Sequence, residues 1–180
     1  MEKKKVNPVL LWILWIIAGF MGLILIAGLV GSIGYKATSP KENPEAAREF
    51  YVQLKNLHVS VNTAYAMAAK KATEGNIQGA YADFKSPVHT MVKMGESKAA
   101  DLERSVPNVP DKELLKEAAN YLGLSFYKRD KAISAFLEGV EENNQGKFVE
   151  SRTENDKADE YLSQATAAFE KIESKYGLGK

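Results

Sequence analysis

The chain has 180 residues, and its 24 basic and 23 acidic side chains leave a formal net charge of +1. This balance argues against a nucleic-acid partner, because phosphate backbones select proteins with clustered basic residues. The sequence contains no cysteine, which excludes disulfide bonds, thiolate metal sites, a catalytic thiol and a lipidated cysteine. The length indicates one folded domain beside any targeting segment.

An uncharged run of 25 positions covers residues 9–33. A helix of this length spans roughly 37 Å, which exceeds the ~30 Å of a membrane's hydrocarbon core. Trp12, Trp15 and Tyr35 lie near the two edges of the run, where aromatic side chains settle at membrane interfaces. Because the run is longer than the apolar region of a cleaved signal peptide, we predict a transmembrane signal anchor over residues 9–35 that binds the lipid bilayer.

The short basic tail before this segment indicates its orientation, although Lys36, Lys41 and Arg48 follow the segment and balance the charge of the tail. Residues 1–8 form a short basic tail that contains Lys3–Lys5, and such a tail before a long apolar run is typical of a signal anchor. We therefore expect a single-pass protein of the cell membrane with a cytoplasmic N-terminus and an extracytoplasmic C-terminal domain. Small residues four positions apart, such as Ala18 and Gly22, are compatible with a homo-oligomer, although glycine is common in membrane helices generally.

The rest of the sequence predicts helices. Pro40 and Pro44 lie close together and predict a linker over residues 36–43. Beyond it, apolar residues recur at steps of three and four, the spacing of amphipathic α-helices. The predicted helices cover about 44–73, 77–102, 111–140 and 148–176. Long helices joined by short turns pack antiparallel, so we predict an all-α protein whose residues 44–180 form an up-down-up-down four-helix bundle of two long helical hairpins.

Two residues within these helices have predicted local roles. Asp111 follows a proline-bounded loop and is expected to cap the third helix. Pro87 falls inside the second helix and should kink or restart it, because proline removes one backbone hydrogen bond. A kink there would open a pocket for an aromatic ligand beside Met91 and Met94, although methionines are more often gap-fillers in a core.

Polar side chains on the stripes of the third and fourth helices form the main candidate site. They are Arg129, Arg152, Asn155 and Asp159. Counting outward from the turn at residues 144 and 145 brings Arg129 opposite Asp159 or the nearby Tyr161, and Glu138 opposite Arg152. One interpretation is that these ion pairs fix the register of the hairpin. The other is a polar slot in which an arginine meets an acidic ligand or a partner's side chain.

No pattern of residues indicates catalysis. His58 and His89 lie on different helices without further ligands at suitable spacing, so we predict no metal site. Neither a nucleophile-elbow pattern nor a glycine-rich phosphate loop occurs in the sequence. We therefore expect no enzyme activity, no catalytic residues and no cofactor.

The anchor and the helices together favour a noncatalytic helical bundle that is tethered to the cell membrane and acts as a protein-interaction or assembly module. Its partner would be a membrane or envelope protein, or a second copy of the chain. The alternative is an extracytoplasmic domain that binds a small ligand between its helices. A tail of about eight residues is too short for an output domain, so such a sensor would need a separate membrane partner.

Overall fold

The computed structural model describes residues 44–178, and this part of the chain is all-helical, as predicted. Its helices are α1 (Pro44–Thr73), α2 (Ile77–Asp83), α3 (His89–Arg104), α4 (Lys112–Glu141) and α5 (Gln145–Tyr176). A π-helical turn, Phe84–Val88, joins α2 to α3. None of these helices is both long and apolar enough to cross a membrane. The predicted tail (1–8), anchor (9–35) and linker (36–43) lie outside the described residues.

Local residues explain where the helices begin and end. Gly75 follows the end of α1 and has a φ of +82°. This left-handed conformation favours glycine and does not continue the helix. Asn76 and Asn144 cap α2 and α5 with their side-chain oxygens, which accept hydrogen bonds from backbone N–H groups. Gly177 ends α5 in the left-handed conformation.

The predicted role of Asp111 as a side-chain cap is wrong. It precedes α4, but its carboxylate forms no capping bond. The carboxylate accepts hydrogen bonds from Lys175 Nζ at 2.5 Å and from the Tyr176 hydroxyl at 2.7 Å. The start of α4 is thereby held to the end of α5.

The π-helical turn keeps the buried apolar residues of α2 and α3 on the same side of the chain. Ala80, Phe84, Val88 and Val92 are all buried and recur at every fourth residue. In an α-helix of 3.6 residues per turn, each such step rotates the stripe by about 40°. A π-helical turn holds more residues per turn, so the stripe keeps facing the core across Pro87. Met94 is exposed on the far side.

The helices pack as antiparallel neighbours around one apolar core. Gly95 of α3 lies against Val61 of α1 and Phe126 of α4, where an added Cβ would come within 2.9 and 3.1 Å of their side chains. Helices α1 and α5 meet through the edge-to-face rings of Tyr51 and Phe169, 5.8 Å apart. The largest fully buried side chains of the described residues are Leu54, Val61, Val92, Leu115, Leu122, Ser125, Phe126, Ile133 and Ile172.

Candidate functional site

Arg129 of α4 is the centre of the polar cluster. Only 6% of this residue is exposed. Its Nη2 donates a hydrogen bond to Asp159 Oδ1 at 3.0 Å, and its Nη1 donates one to Asn155 Oδ1 at 3.2 Å. Asn155 Nδ2 in turn donates to Asp159 Oδ2 at 3.2 Å. The three side chains therefore close a ring of hydrogen bonds between α4 and α5.

Tyr65 of α1 covers the other side of this cluster. The Arg129 guanidinium lies 4.1 Å from the centre of the Tyr65 ring, a cation–π contact that favours a desolvated cation. Burial raises the pKa of Tyr65, and the nearby Arg129 charge opposes that rise. The cluster thus joins three helices, and Tyr65 is the member that the sequence could not indicate, because a tyrosine on an apolar stripe has the pattern of core packing.

Two buried polar atoms of this region have no hydrogen-bond partner among the described residues. They are Arg129 Nε and Asn62 Oδ1. Asn62 Nδ2 donates to the backbone carbonyl of His58 at 2.9 Å. Burial, followed by the charges of Arg129 and Lys55, lowers the pKa of His58. An unpaired buried donor costs free energy, so the charge of Arg129 is held here at some expense in stability.

Arg152 does not join the cluster. It is exposed on α5, and its predicted partner, Glu138, pairs instead with Lys147 Nζ at 2.7 Å. The reason is helical phase: Glu138 is nine residues after Arg129, which turns it about 180° around α4. Counting from the turn gives the height of a residue along the hairpin but not its side. The predicted pair between Glu138 and Arg152 was therefore wrong.

A second set of polar contacts, from Lys128 and Ser151, holds α4 to α5 beside the Arg129 cluster. Glu154 accepts hydrogen bonds from Lys128 at 2.8 Å and from Lys157 at 2.5 Å, and these bonds, that of Lys128 first, lower the pKa of Glu154. The Ser151 hydroxyl donates to the backbone carbonyl of Ala132 at 2.7 Å. These contacts fix the register of the hairpin.

The two histidines lie in separate places. His89 Nε2 is 2.7 Å from Asp130 Oδ1, and Lys93 Nζ lies 3.8 Å from the same oxygen. The His58 ring packs edge-on against Phe169, with ring centres 5.7 Å apart. Within residues 44–178, no three metal-binding side chains come together.

Helices α1 and α5 are also joined by polar contacts near the start of α1. Glu173 accepts hydrogen bonds from the Tyr51 hydroxyl and from Lys55 Nζ. Those bonds, that of Lys55 first, lower the pKa of Glu173. Arg48 donates to the backbone carbonyl of Tyr176 at 2.9 Å. These contacts place residues 48–55 of α1 at the same level along the bundle as residues 173–176 of α5.

A shallow groove of about 430 Å³ runs along α5 beside the cluster. Its lining within the described chain comes from α5 alone: Asp159, Leu162, Ser163, Thr166, Ala167 and Glu170. Asp159 is shared between the groove and the Arg129 cluster, and its side chain is 56% exposed. The groove is thus acidic at both ends and uncharged between them.

No family model, curated protein or solved structure gives a significant match to this chain. The guanidinium of Arg129 faces two polar partners and an aromatic ring, which is the environment of a side chain that fixes helix packing. The outward carboxylate of Asp159 and the groove beside it are accessible to another molecule.

Proposed function

We propose that this chain is a noncatalytic, membrane-anchored assembly module. Residues 9–35 act as a single-pass signal anchor after a cytoplasmic tail of residues 1–8. Residues 36–43 link the anchor to an extracytoplasmic up-down-up-down bundle of residues 44–180. The observation that carries the proposal is the uncharged run of 25 positions at residues 9–33, because a segment of that length and composition partitions into lipid.

The positions of the polar groups in the bundle support an assembly role, because some join the helices and others line an exposed surface. The charged side chains between α4 and α5 contact one another, as Arg129 does with Asp159 and Lys128 with Glu154. Such pairs specify how the helices fit together. One accessible feature of residues 44–178 is the groove on the outer side of α5, which has the shape of a contact surface for another helix.

The test is extraction of the full chain from membranes. Washing at alkaline pH should leave the protein in the membrane pellet, and deletion of residues 9–33 should release it. Protease added to intact cells should remove the bundle and spare the tail. Recovery of the intact chain in the alkaline wash would contradict the proposed anchor, and protection of the bundle from protease would contradict the proposed orientation.

The groove also favours a second candidate, a domain that binds a small ligand. Asp159 and Glu170 are 11 residues apart, about 16 Å along a helix, and suit an extended organic cation such as spermidine. Saturable stabilisation of the full chain by spermidine, lost in a Glu170→Gln variant, would support this candidate. We expect no such stabilisation, since a groove lined by one helix encloses little of a small molecule.

A further inference from the structure

The outer side of α1 lacks acidic residues, lysine and arginine over residues 56–69. The single titratable imidazole of this stretch, His58, packs against Phe169. Several of these residues face solvent. Val59 is 52% exposed and Met67 is 65% exposed. A surface helix normally carries charged residues opposite its buried face. The uncharged stretch ends in a basic residue on each side, Lys55 and Lys70.

A matching surface lies next to it on α5. Asp159, Ser163, Thr166 and Glu170 follow one another at steps of four, three and four, so they form a single stripe along the groove. Between its acidic ends, residues 161–169 carry no charge. We call the exposed side of α1 from Lys55 to Lys70 the α1 stripe, and the exposed side of α5 from Asp159 to Glu170 the α5 stripe. The α1 stripe has a lysine at each end, and the α5 stripe has an acidic residue at each end.

The two stripes face the same side of the bundle. Lys55 reaches Glu173 Oε1 at 2.5 Å, which places the α1 stripe beside α5. Glu173 lies one turn beyond Glu170, so the groove continues from that ion pair. Because α1 and α5 run antiparallel, Lys70 at the far end of the α1 stripe lies within about one turn of the height of Asp159.

We propose that a second copy of this chain covers this face. A two-fold axis parallel to the helices would lay α1 of each copy on α5 of the other. Rotation about this axis leaves the position of every residue along the helices unchanged. Lys70 of one copy then approaches Asp159 of the other, and Lys55 approaches Glu170. Val59 packs near Thr166 in the same arrangement. Both ends of each uncharged stripe meet the opposite charge.

The charges favour this pairing over other ways of joining two copies. Stacking α1 on α1 would place basic ends together, and stacking α5 on α5 would place acidic ends together. The parallel two-fold also brings Pro44 of both copies to the same end of the dimer. The proposed anchors precede Pro44 in both copies, so this arrangement is compatible with two anchors in one membrane.

The size of the face explains why this inference rests on the proposed membrane anchor. The stripe from Lys55 to Lys70 is about 23 Å long, and two helices are about 20 Å wide, which gives roughly 450 Å². A stable interface takes about 800 Å² from each partner. Anchoring raises the effective concentration of a partner in the membrane, so the dimer is expected there at expression levels at which a free bundle would be monomeric.

The absence of cysteine makes a direct test available. Val59→Cys and Thr166→Cys are introduced singly into the full chain, and the two variants are co-expressed in one membrane. On oxidation, the pair should give a disulfide-linked dimer on non-reducing gels at no less than ten times the yield of either variant alone. Ser97→Cys, on the exposed side of α3, is paired with Thr166→Cys as the matched control and should give no cross-link.

A second variant tests the uncharged character of the face. Ala66→Glu, on the exposed side of α1, should reduce the cross-linked fraction at least tenfold in the Val59→Cys and Thr166→Cys background. Asn120→Glu adds the same charge to an exposed position of α4 and should leave that fraction unchanged. Circular dichroism of both variants should match that of the parent, since neither position is buried.

Each other outcome overturns the proposed dimer. Cross-linking by Val59→Cys alone would indicate contact between the two α1 helices. A monomer in which Val59→Cys resists maleimide would indicate that another segment of the same chain covers this face. An accessible monomer would mean that the face is simply solvated. Alkaline extraction of the same membranes, read separately, shows whether the anchor itself has failed.

Discussion

Replacement of Arg129 separates packing from charge in the core of the bundle. In Arg129→Ala, Asn155 and the half-exposed Asp159 regain water, so the lost pair costs only about 1 kcal/mol. Removal of the buried side chain leaves a cavity beside Tyr65, and large-to-small substitutions in cores cost about 2–5 kcal/mol. The substitution also removes the buried Nε, which has no hydrogen-bond partner among the described residues, and this offsets part of the cost. We expect a net loss of about 2–3 kcal/mol.

Arg129→Met is the matched control, because methionine fills the volume without the charge. Replacing a buried ion pair by apolar packing is often neutral or stabilising, so the free energy of unfolding should stay within about 1 kcal/mol of the parent value. For a bundle of roughly 135 residues, an unfolding entropy of about 0.28 kcal/mol/K converts the Arg129→Ala loss into a fall in Tm of roughly 9 °C.

The assay is thermal unfolding of the full chain in detergent micelles, followed by circular dichroism at 222 nm. An unchanged Tm in Arg129→Ala would refute the buried position of this side chain. An equal loss in both variants would refute the argument that packing outweighs charge. Preserved stability of Arg129→Ala with weakened association would assign Arg129 to a binding site.

Two further predictions concern close packing and pH. Gly95→Ala should destabilise the bundle by about 1–3 kcal/mol, because its Cβ would come within 2.9 Å of Val61. Gly123→Ala, whose Cβ would make an ordinary 3.4 Å contact, should instead stabilise α4 by up to about 1 kcal/mol, and similar effects in urea unfolding would contradict this contrast. Since burial lowers the pKa of His58 below its ordinary 6.5, the unfolded chain binds more protons. Stability should therefore fall as the pH drops below 6.5, and His58→Gln should flatten that dependence in melts at pH 5 to 8; an unchanged slope would exclude His58 as a source.

Sequence periodicity was sufficient to predict the three long helices, α1, α4 and α5, because apolar residues recur along them at helical spacing. The predicted first helix has the observed bounds of α1, Pro44–Thr73. Counting from a short turn also brought Arg129 to the height of Asp159, because residues on two antiparallel helices are matched in height by the turn that joins them. Helix periodicity and distance from a turn can both be read from the sequence alone.

The features that escaped prediction depend on neighbours that are distant in the sequence. Asp111 has the residue type of a cap, but Lys175 and Tyr176 lie close enough to take its carboxylate. Tyr65 joins the Arg129 cluster only because α1 packs across α4. The π-helical turn could have been inferred from the run of four-residue steps at Ala80–Val92, which an α-helix alone does not keep on one face.

The distribution of polarity on α5 links its packing to the proposed dimer. Toward α4 and α1, this helix presents Glu154, Asp159 and Glu173, each bonded to a cation of a neighbouring helix. Its buried residues are three alanines, one phenylalanine and one isoleucine, and Phe148, Leu162 and Tyr176 also pack against the core. Residues 161–169, by contrast, leave an uncharged outer side. Charged residues return on either side of this stretch, at Asp159 and Glu160 and at Glu170 and Lys171. The uncharged part of α5 is therefore a bounded surface suited to a second helix.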